Sequence, residues 1–212
     1  MKLYISDHHF FRDDFASWRG YVSGTEMNAG MAELWNRKVR EEDEVYILGD
    51  FSEGTAEETN ALLRSLKGTK YLCRGNHDDY LDDPAFDRSL LADVFDYREL
   101  EDSGRHVILC HYPMPFYNGQ YREAGGAAGK TVMLYGHLHS SYDEILLNEG
   151  LRRMKTMQRT LHGQTEPVSI PCNLINCFCR FCHYAPLSLE EWEPLDRARR
   201  SRFTLETPEY RF

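Results

Sequence analysis

The sequence predicts an α/β protein, and three observations carry that prediction. Apolar runs of strand length alternate with stretches of helical periodicity. Glycines and polar turn residues punctuate the boundaries between them. Five of the runs end, where the chain leaves a sheet, in residues able to ligate a metal.

Residues 2–6 form the first strand, which ends in Asp7-His8-His9, and 10–24 read as a polar, aromatic loop. Met27, Met31, Leu34 and Trp35 recur at helical spacing, which predicts a helix from just after Thr25 to about Arg40 with that stripe in the core. Residues 44–48 form a second strand, closed by Gly49-Asp50. Thr55-Ala56-Glu57-Glu58 has the form of a capping box and opens a helix carrying Leu62, Leu63 and Leu66, which Gly68 ends. The third strand, 70–74, runs into Gly75-Asn76-His77-Asp78. A short helix is expected over 80–92 and a strand over 94–100. Residues 105–110 form a strand ended by His111, and 131–135 one ended by Gly136-His137-Leu138-His139. A long loop rich in Tyr and Gly, 112–130, lies between these two. The polar, partly basic stretch 147–170 reads as a loop, 173–181 as strand-like, and Ser188 starts a C-terminal helix with a charged tail. Without an internal repeat or low-complexity linker, 1–212 reads as one domain.

Composition narrows the function classes. A net charge of -9 argues against a broad nucleic-acid-binding face, so nucleic acid enters only as a substrate. An anionic substrate stays compatible, because bound cations reverse the local sign of a cleft. No run of 18 apolar residues is present, so no membrane span is expected. Met1 to Ser6 reads as a strand rather than a signal peptide, and the six cysteines are expected as reduced thiols in the cytoplasm.

The strand ends, set side by side, form a constellation. They carry Asp7 and His9, Asp50, Asn76 and His77, His111, and His137 with His139. Ligands of open α/β sheets bind beyond the carboxyl ends of the strands, so these residues are expected on one rim. If extended geometry persists, residues two apart face the same side, pairing Asp7 with His9 and His137 with His139. Gly49, Gly75 and Gly136 each precede a candidate ligand and are expected to permit a sharp turn. The seven donors Asp7, His9, Asp50, Asn76, His111, His137 and His139 exceed one tetrahedral ion. They suit two ions about 3.5–4 Å apart with a shared carboxylate. Mixed imidazole and carboxylate ligation favours Mn, with Fe, Zn or Mg as other candidates.

In order and spacing these five motifs resemble the signature of the calcineurin-like metallophosphoesterase superfamily, and within it the small single-domain bacterial and phage phosphoesterases. The resemblance implies a four-layer αββα sandwich, two packed mixed β-sheets flanked by helices. It implies that Asp7, His9 and His139 hold one metal, that Asn76, His111 and His137 hold the other, and that Asp50 bridges them. It further implies a catalytic His77, oriented by Asp78 or a backbone group, that protonates the leaving oxygen of a small phosphorylated substrate while a hydroxide attacks phosphorus in line. Gly49-Asp50-Phe51-Ser52-Glu53-Gly54 departs from the Asp-Arg-Gly ending of the protein-phosphatase branch, which argues against that activity. Substrate choice is expected in the loops 10–24, 112–130 and 147–170.

A protein-interaction module that keeps this fold without catalysis would lack ligand residues, and all seven are present here. The cluster Cys172, Cys177, Cys179 and Cys182 is read as buried core rather than a thiolate metal site. His8, His106, His162 and His183 are read as surface or strand-face residues. Ala124 to Thr131 matches a relaxed phosphate-loop pattern but opens a strand, not a helix, and is rejected.

Overall fold

The computed structural model describes residues 1–124 and 129–202. The predicted charged tail, and residues 125–128 of the predicted 112–130 loop and the rejected phosphate-loop pattern, lie outside them. The first half contains β1 (Lys2–Ile5), α1 (Phe15–Trp18), α2 (Gly24–Lys38), β2 (Glu44–Ile47), α3 (Ala56–Ser65), β3 (Thr69–Cys73), β4 (Asp93–Phe95) and β5 (Tyr97–Asp102). After these come β6 (Arg105–Cys110), β7 (Glu123–Ala124), β8 (Gly129–Lys130), β9 (Val132–Tyr135) and α4 (Tyr142–Thr156). β10 (Gln158–Thr160), β11 (Pro167–Ser169), β12 (Leu174–Asn176) and α5 (Leu189–Arg202) complete the order.

Two four-stranded sheets form the centre, ordered β1-β2-β3-β4 and β12-β9-β6-β5. The first is parallel throughout. The second is parallel except for β5, which runs antiparallel to β6. Parallel strands are covered on both faces, so they read as continuous apolar runs. Accordingly Leu3, Tyr4 and Ile5 are all buried, as are all four residues of β9. One hydrophobic cluster joins the sheets, drawing Ile5, Ile47 and Leu72 from the first and Val107, Leu109 and Leu134 from the second. α2 and α3 add Met27, Met31, Trp35, Leu62 and Leu63 to it. On the other face of the second sheet, Ile108 and Met133 meet Leu151 of α4. The layers are therefore helix, sheet, sheet, helix. At the start of α3 both bonds of the capping box form, Glu58 N–H to Thr55 Oγ1 at 3.2 Å and Thr55 N–H to Glu58 Oε2 at 2.8 Å.

Several elements differ from the sequence expectation. The predicted strand 94–100 is two strands, and the chain crosses from one sheet to the other at Asp96. The predicted helix over 80–92 is two 3₁₀ turns, Asp79–Asp82 and Arg88–Leu90. The predicted 147–170 loop is largely α4 and the β10–β11 hairpin. Two of the helix's core-facing residues are polar, which breaks its apolar stripe in the sequence. Glu144 and Asn148 are buried alongside Ile145 and Leu151. Glu144 accepts hydrogen bonds from Tyr135 Oη at 2.7 Å, Asn148 Nδ2 at 3.1 Å and Arg199 at 2.7 Å. Burying a carboxylate is tolerable when its lone pairs are used in this way.

The 173–181 stretch is a strand only over Leu174–Asn176, and a 3₁₀ turn follows at Cys179–Cys182. Cys172, Cys177, Cys179 and Cys182 are all buried, and burial pushes their thiols above the usual range. His8 is no surface residue. It is wholly buried, its ring stacked on Phe10 at 5.1 Å and flanked by Trp35 and Phe51.

Burial, then the Arg19 charge, lowers the His8 pKa from 6.5 to about 3. An unfolded chain protonates this ring below 6.5 while the folded one does not, so its contribution to stability is present above that pH and lost as pH falls toward 3. We expect His8→Phe to flatten the acid limb of the melting curve relative to the parent, by about 1.4 kcal/mol per pH unit below 6.5. Identical slopes for the two proteins in thermal melts between pH 7 and pH 4 would contradict it.

Candidate metal centre

The C-terminal ends of β1, β2 and β3 carry Asp7, His9, Asp50 and Asn76, and those of β6 and β9 carry His111, His137 and His139. The site therefore lies where two sheets meet, and neither sheet holds a complete donor set. Two groupings of donor atoms result, each within a span of 4.8 Å: Asp7, His9, Asp50 and His139 in one, Asp50, His111 and His137 in the other. Asp50 belongs to both. Asn76, although exposed, points Oδ1 to within 3.1 Å of His111 Nε2.

The local backbone is unusual. Asp7 (φ 57°), His9 (48°), Asp50 (51°), His137 (69°) and His139 (50°) are all left-handed. Non-glycine residues held there cost about 1–3 kcal/mol each and persist only where surroundings over-determine them. The surroundings here are specific. Asp7 N–H donates to Gly49 O and His9 N–H to Asp50 O, both at 3.0 Å. His137 N–H donates across the sheets to Asp7 Oδ1 at 2.8 Å. The Arg19 guanidinium donates to the carbonyls of His8 and Asp7, bracing the turn from below. The two-residue spacing thus works through left-handed residues and not through the pleat of an extended strand.

The glycines also differ in their reasons. Gly49 has φ +87°, and a Cβ there would fall 2.3 Å from His111 Nδ1. Gly75 and Gly136 need space and not a special φ. A Cβ on Gly75 would lie 2.3 Å from Asp50 Oδ1, and one on Gly136 would lie 2.8 Å from Asp7 Oδ2.

The donor set has the character of a cation site. His111 Nδ1 lies 2.8 Å from Leu48 O, which can only accept, so that nitrogen carries the proton. Its Nε2 then faces Asn76 Oδ1 at 3.1 Å and Asp50 Oδ1 at 3.5 Å. On the other side His9 Nδ1 meets Glu53 Oε1 at 2.5 Å, again a donor facing an acceptor. His9 Nε2 then points to His139 Nε2 at 3.0 Å and Asp50 Oδ2 at 3.6 Å. Lone pairs gathered on lone pairs repel unless a cation lies among them. Burial drives the His9 imidazole down to about 2, which keeps it in the neutral, ligating form. Burial raises the Asp50 carboxyl, opposed by His111 and reinforced by Asp7. Burial also works to raise the Asp7 carboxyl, but His139, His111 and Ser6 together carry it below the usual range.

His77 N–H donates to Asp50 Oδ1 at 2.9 Å, and its ring stands 5.3 Å from the His9 ring, half-buried beside the donors. The sequence leaves Asp78 or a backbone group to orient this ring. Both Asp78 oxygens are taken up by backbone N–H groups, those of Asp50 at 3.0 Å, Phe51 at 2.8 Å and Gly75 at 2.8 Å. Asp78 ties the second strand end to the third, and burial raises its carboxyl to about 6. Two positioning residues were missed from sequence, Glu53 and Arg19. Nothing local marks either, because each reaches its partner only through the turn geometry.

Carboxylates and imidazoles gathered between two sheet ends make this an α/β protein with a candidate metal site at its strand termini. The family description "Calcineurin-like phosphoesterase superfamily domain" fits residues 1–155. Gene 66 protein of Mycobacterium phage D29 is 34% identical over 161 residues, covering 65% of this chain and 77% of the phage protein. An uncharacterized protein of Methanocaldococcus jannaschii is 29% identical over 146 residues, covering 66% of this chain and 71% of its own. A solved structure from Aquifex aeolicus, of a protein of unknown function, has a TM-score of 0.59 at 21% identity, covering 92% of this chain and 98% of that one. That likeness shows a shared fold. The chain belongs to the calcineurin-like phosphoesterase superfamily. Family and clustered donors together fit a metallophosphoesterase, a hydrolase of phosphate esters. Among the described residues no helix is long and apolar enough to cross a membrane.

The bond from Glu53 to His9 fixes the imidazole's tautomer and raises its basicity, as carboxylates behind ligating histidines do. Glu53→Gln is expected to weaken divalent-metal binding by about tenfold to a hundredfold, read by titration calorimetry on metal-stripped protein. Unchanged affinity would remove Glu53 from the site.

Proposed function

We propose that the chain, as one cytoplasmic domain over 1–212, hydrolyses small phosphate esters at a two-metal centre. Asp7, His9 and His139 would hold one ion and Asn76, His111 and His137 the other, with Asp50 the residue shared by both donor groupings. The single observation that carries this reading is the Asp50 carboxylate. Its Oδ2 faces His9 and its Oδ1 faces His111, one oxygen toward each grouping. Manganese suits the mixed imidazole, carboxylate and amide donors, with Fe, Zn or Mg as other candidates. Two divalent ions there would supply Lewis acidity and neutralise charge on the phosphate oxygens.

The protein's own groups do the rest. His77, next to the donors yet half-exposed, gives its proton to the leaving oxygen as the ester bond breaks. The elements of water end divided between the phosphate and the departing alcohol. Asp78 keeps the strand-two and strand-three ends in register, so that His77 and Asp50 hold their separation.

The deciding assay is hydrolysis of an aryl phosphomonoester and the matching diester by metal-stripped protein, with and without added Mn. Metal-dependent turnover supports the reading, and the preferred ester sets monoester against diester. Asp50→Asn is expected to abolish turnover and lower metal content, because both ions share that group. An active Asp50→Asn protein with full metal content would defeat the assignment. His77→Gln should retain its metals while kcat drops by about 100- to 10,000-fold, most for esters with poor leaving groups. A rate within a few-fold of the parent across such esters would clear His77 of acid catalysis.

A further inference from the structure

Cys73 and Cys110 belong to different sheets and meet at one junction. Cys73 ends β3 and pairs in register with Phe95, the last residue of β4. Cys110 ends β6 and pairs with Tyr97, the first residue of β5. Phe95 and Tyr97 flank Asp96, where the chain passes from the first sheet to the second. The two cysteines therefore stand on either side of that crossing. The Cys73 thiol donates to Asp96 O at 3.3 Å and lies within hydrogen-bonding reach of the Cys110 sulfur.

Both thiols are free, and their surroundings differ. Cys73 is wholly buried, whereas Cys110 is the one cysteine of the six that is not buried. An accessible thiol backed by a buried one is the arrangement of an attacking and a resolving cysteine. The cluster Cys172, Cys177, Cys179 and Cys182 has no accessible member.

Each cysteine of the pair is also close in sequence to a candidate ligand. His111 follows Cys110 directly, and Asn76 lies three residues after Cys73. Those two side chains meet at 3.1 Å. A disulfide draws two sulfurs to about 2.05 Å, well inside their non-bonded contact, whereas metal donors tolerate displacements of only about 0.2 Å.

We propose that Cys73 and Cys110 are a redox modification site: they close into a reversible disulfide between the two sheets, and that bond lowers divalent-metal affinity at the side of the centre formed by Asn76 and His111. The effect on metal rests on the two-metal reading above. The co-reactant is a low-molecular-weight disulfide such as oxidised glutathione. Cys110 Sγ attacks one of its sulfurs, which forms a mixed disulfide and expels one glutathione. Cys73 Sγ then attacks Cys110 Sγ and expels the second. The two protein thiols give up their protons to the departing glutathiones, and the two electrons reduce the glutathione disulfide to two thiols. By linkage, a metal that binds the dithiol form better holds the pair reduced by the same factor.

The test equilibrates the full chain in glutathione buffers of graded ratio, with and without manganese. Thiols are trapped by alkylation and the disulfides mapped by mass spectrometry. Manganese affinity of the reduced and oxidised proteins is read by calorimetry. The expected map shows one disulfide, between Cys73 and Cys110. The oxidised protein should bind manganese about tenfold weaker or more. Saturating manganese should raise the midpoint potential correspondingly, by about 30 mV for a tenfold difference in this two-electron couple. Cys73→Ser should stop at a mixed disulfide of Cys110 with glutathione, and Cys110→Ser should keep its manganese affinity in oxidising buffer. No link between Cys73 and Cys110 in the most oxidising buffer, with manganese binding intact, would overturn the proposal and leave the metal centre standing. A linked protein with the manganese affinity of the reduced one would overturn it equally. A reduced parent that takes up no manganese would overturn the two-metal reading, and the effect on metal with it, even where the disulfide maps.

Discussion

The Asp50 carboxylate sits where the C-terminal ends of the two sheets converge, and the geometry around it depends on its being held there. Its backbone N–H is bound by Asp78, its carbonyl receives His9, and Oδ1 receives the His77 N–H. Two of those bonds come from the turn after β3 and one from the turn after β1. A Cβ at Gly75 would collide with this group, which is why the chain carries glycine there although φ does not demand it. A shift of Asp50 would separate the two donor groupings, since it is their common member.

The crowding of like groups around it explains the rest of the rim. Asp7, Asp50 and Asp78 are all buried within a few residues of strand ends, where desolvation penalises every charge. Asp78 answers that penalty with three backbone N–H bonds, and Asp7 with Ser6 and the His137 N–H. The Asp50 carboxylate receives one backbone N–H, and the Nε2 atoms of His9 and His111 lie 3.6 and 3.5 Å from its two oxygens. Five left-handed candidate ligands store strain at the same place. Such strain persists where the site's geometry is held from several directions at once, here by Arg19, Gly49 O and the cross-sheet bonds.

The strands were legible because parallel strands covered on both faces spell continuous apolar runs, and β1, β2 and β9 do so. α3 was legible from its capping box. α4 was not, because Glu144 and Asn148 interrupt its apolar stripe, and their burial makes sense only once Tyr135 and Arg199 are in place. The crossing at Asp96 was equally hidden. A seven-residue strand-like stretch, 94–100, does not say that its two halves join different sheets. In the candidate site, residue types and their order along the chain were readable at the strand ends, whereas Glu53 and Arg19 carry no pattern of their own.

By itself the sequence determined which residues end the strands and what chemistry they offer, because side-chain type and position at a strand terminus are local properties. It also determined where the backbone had to lack a Cβ. Only the tertiary structure decided how those donors meet. Two separate sheets must pack before His111 reaches Asn76 and Asp50, and left-handed turns must form before His9 reaches His139. Asp78 is the plainest case, since a carboxylate next to His77 in sequence spends its lone pairs on backbone groups from another strand end. Long-range packing sets where a side chain can find partners, and no spacing within one segment records it.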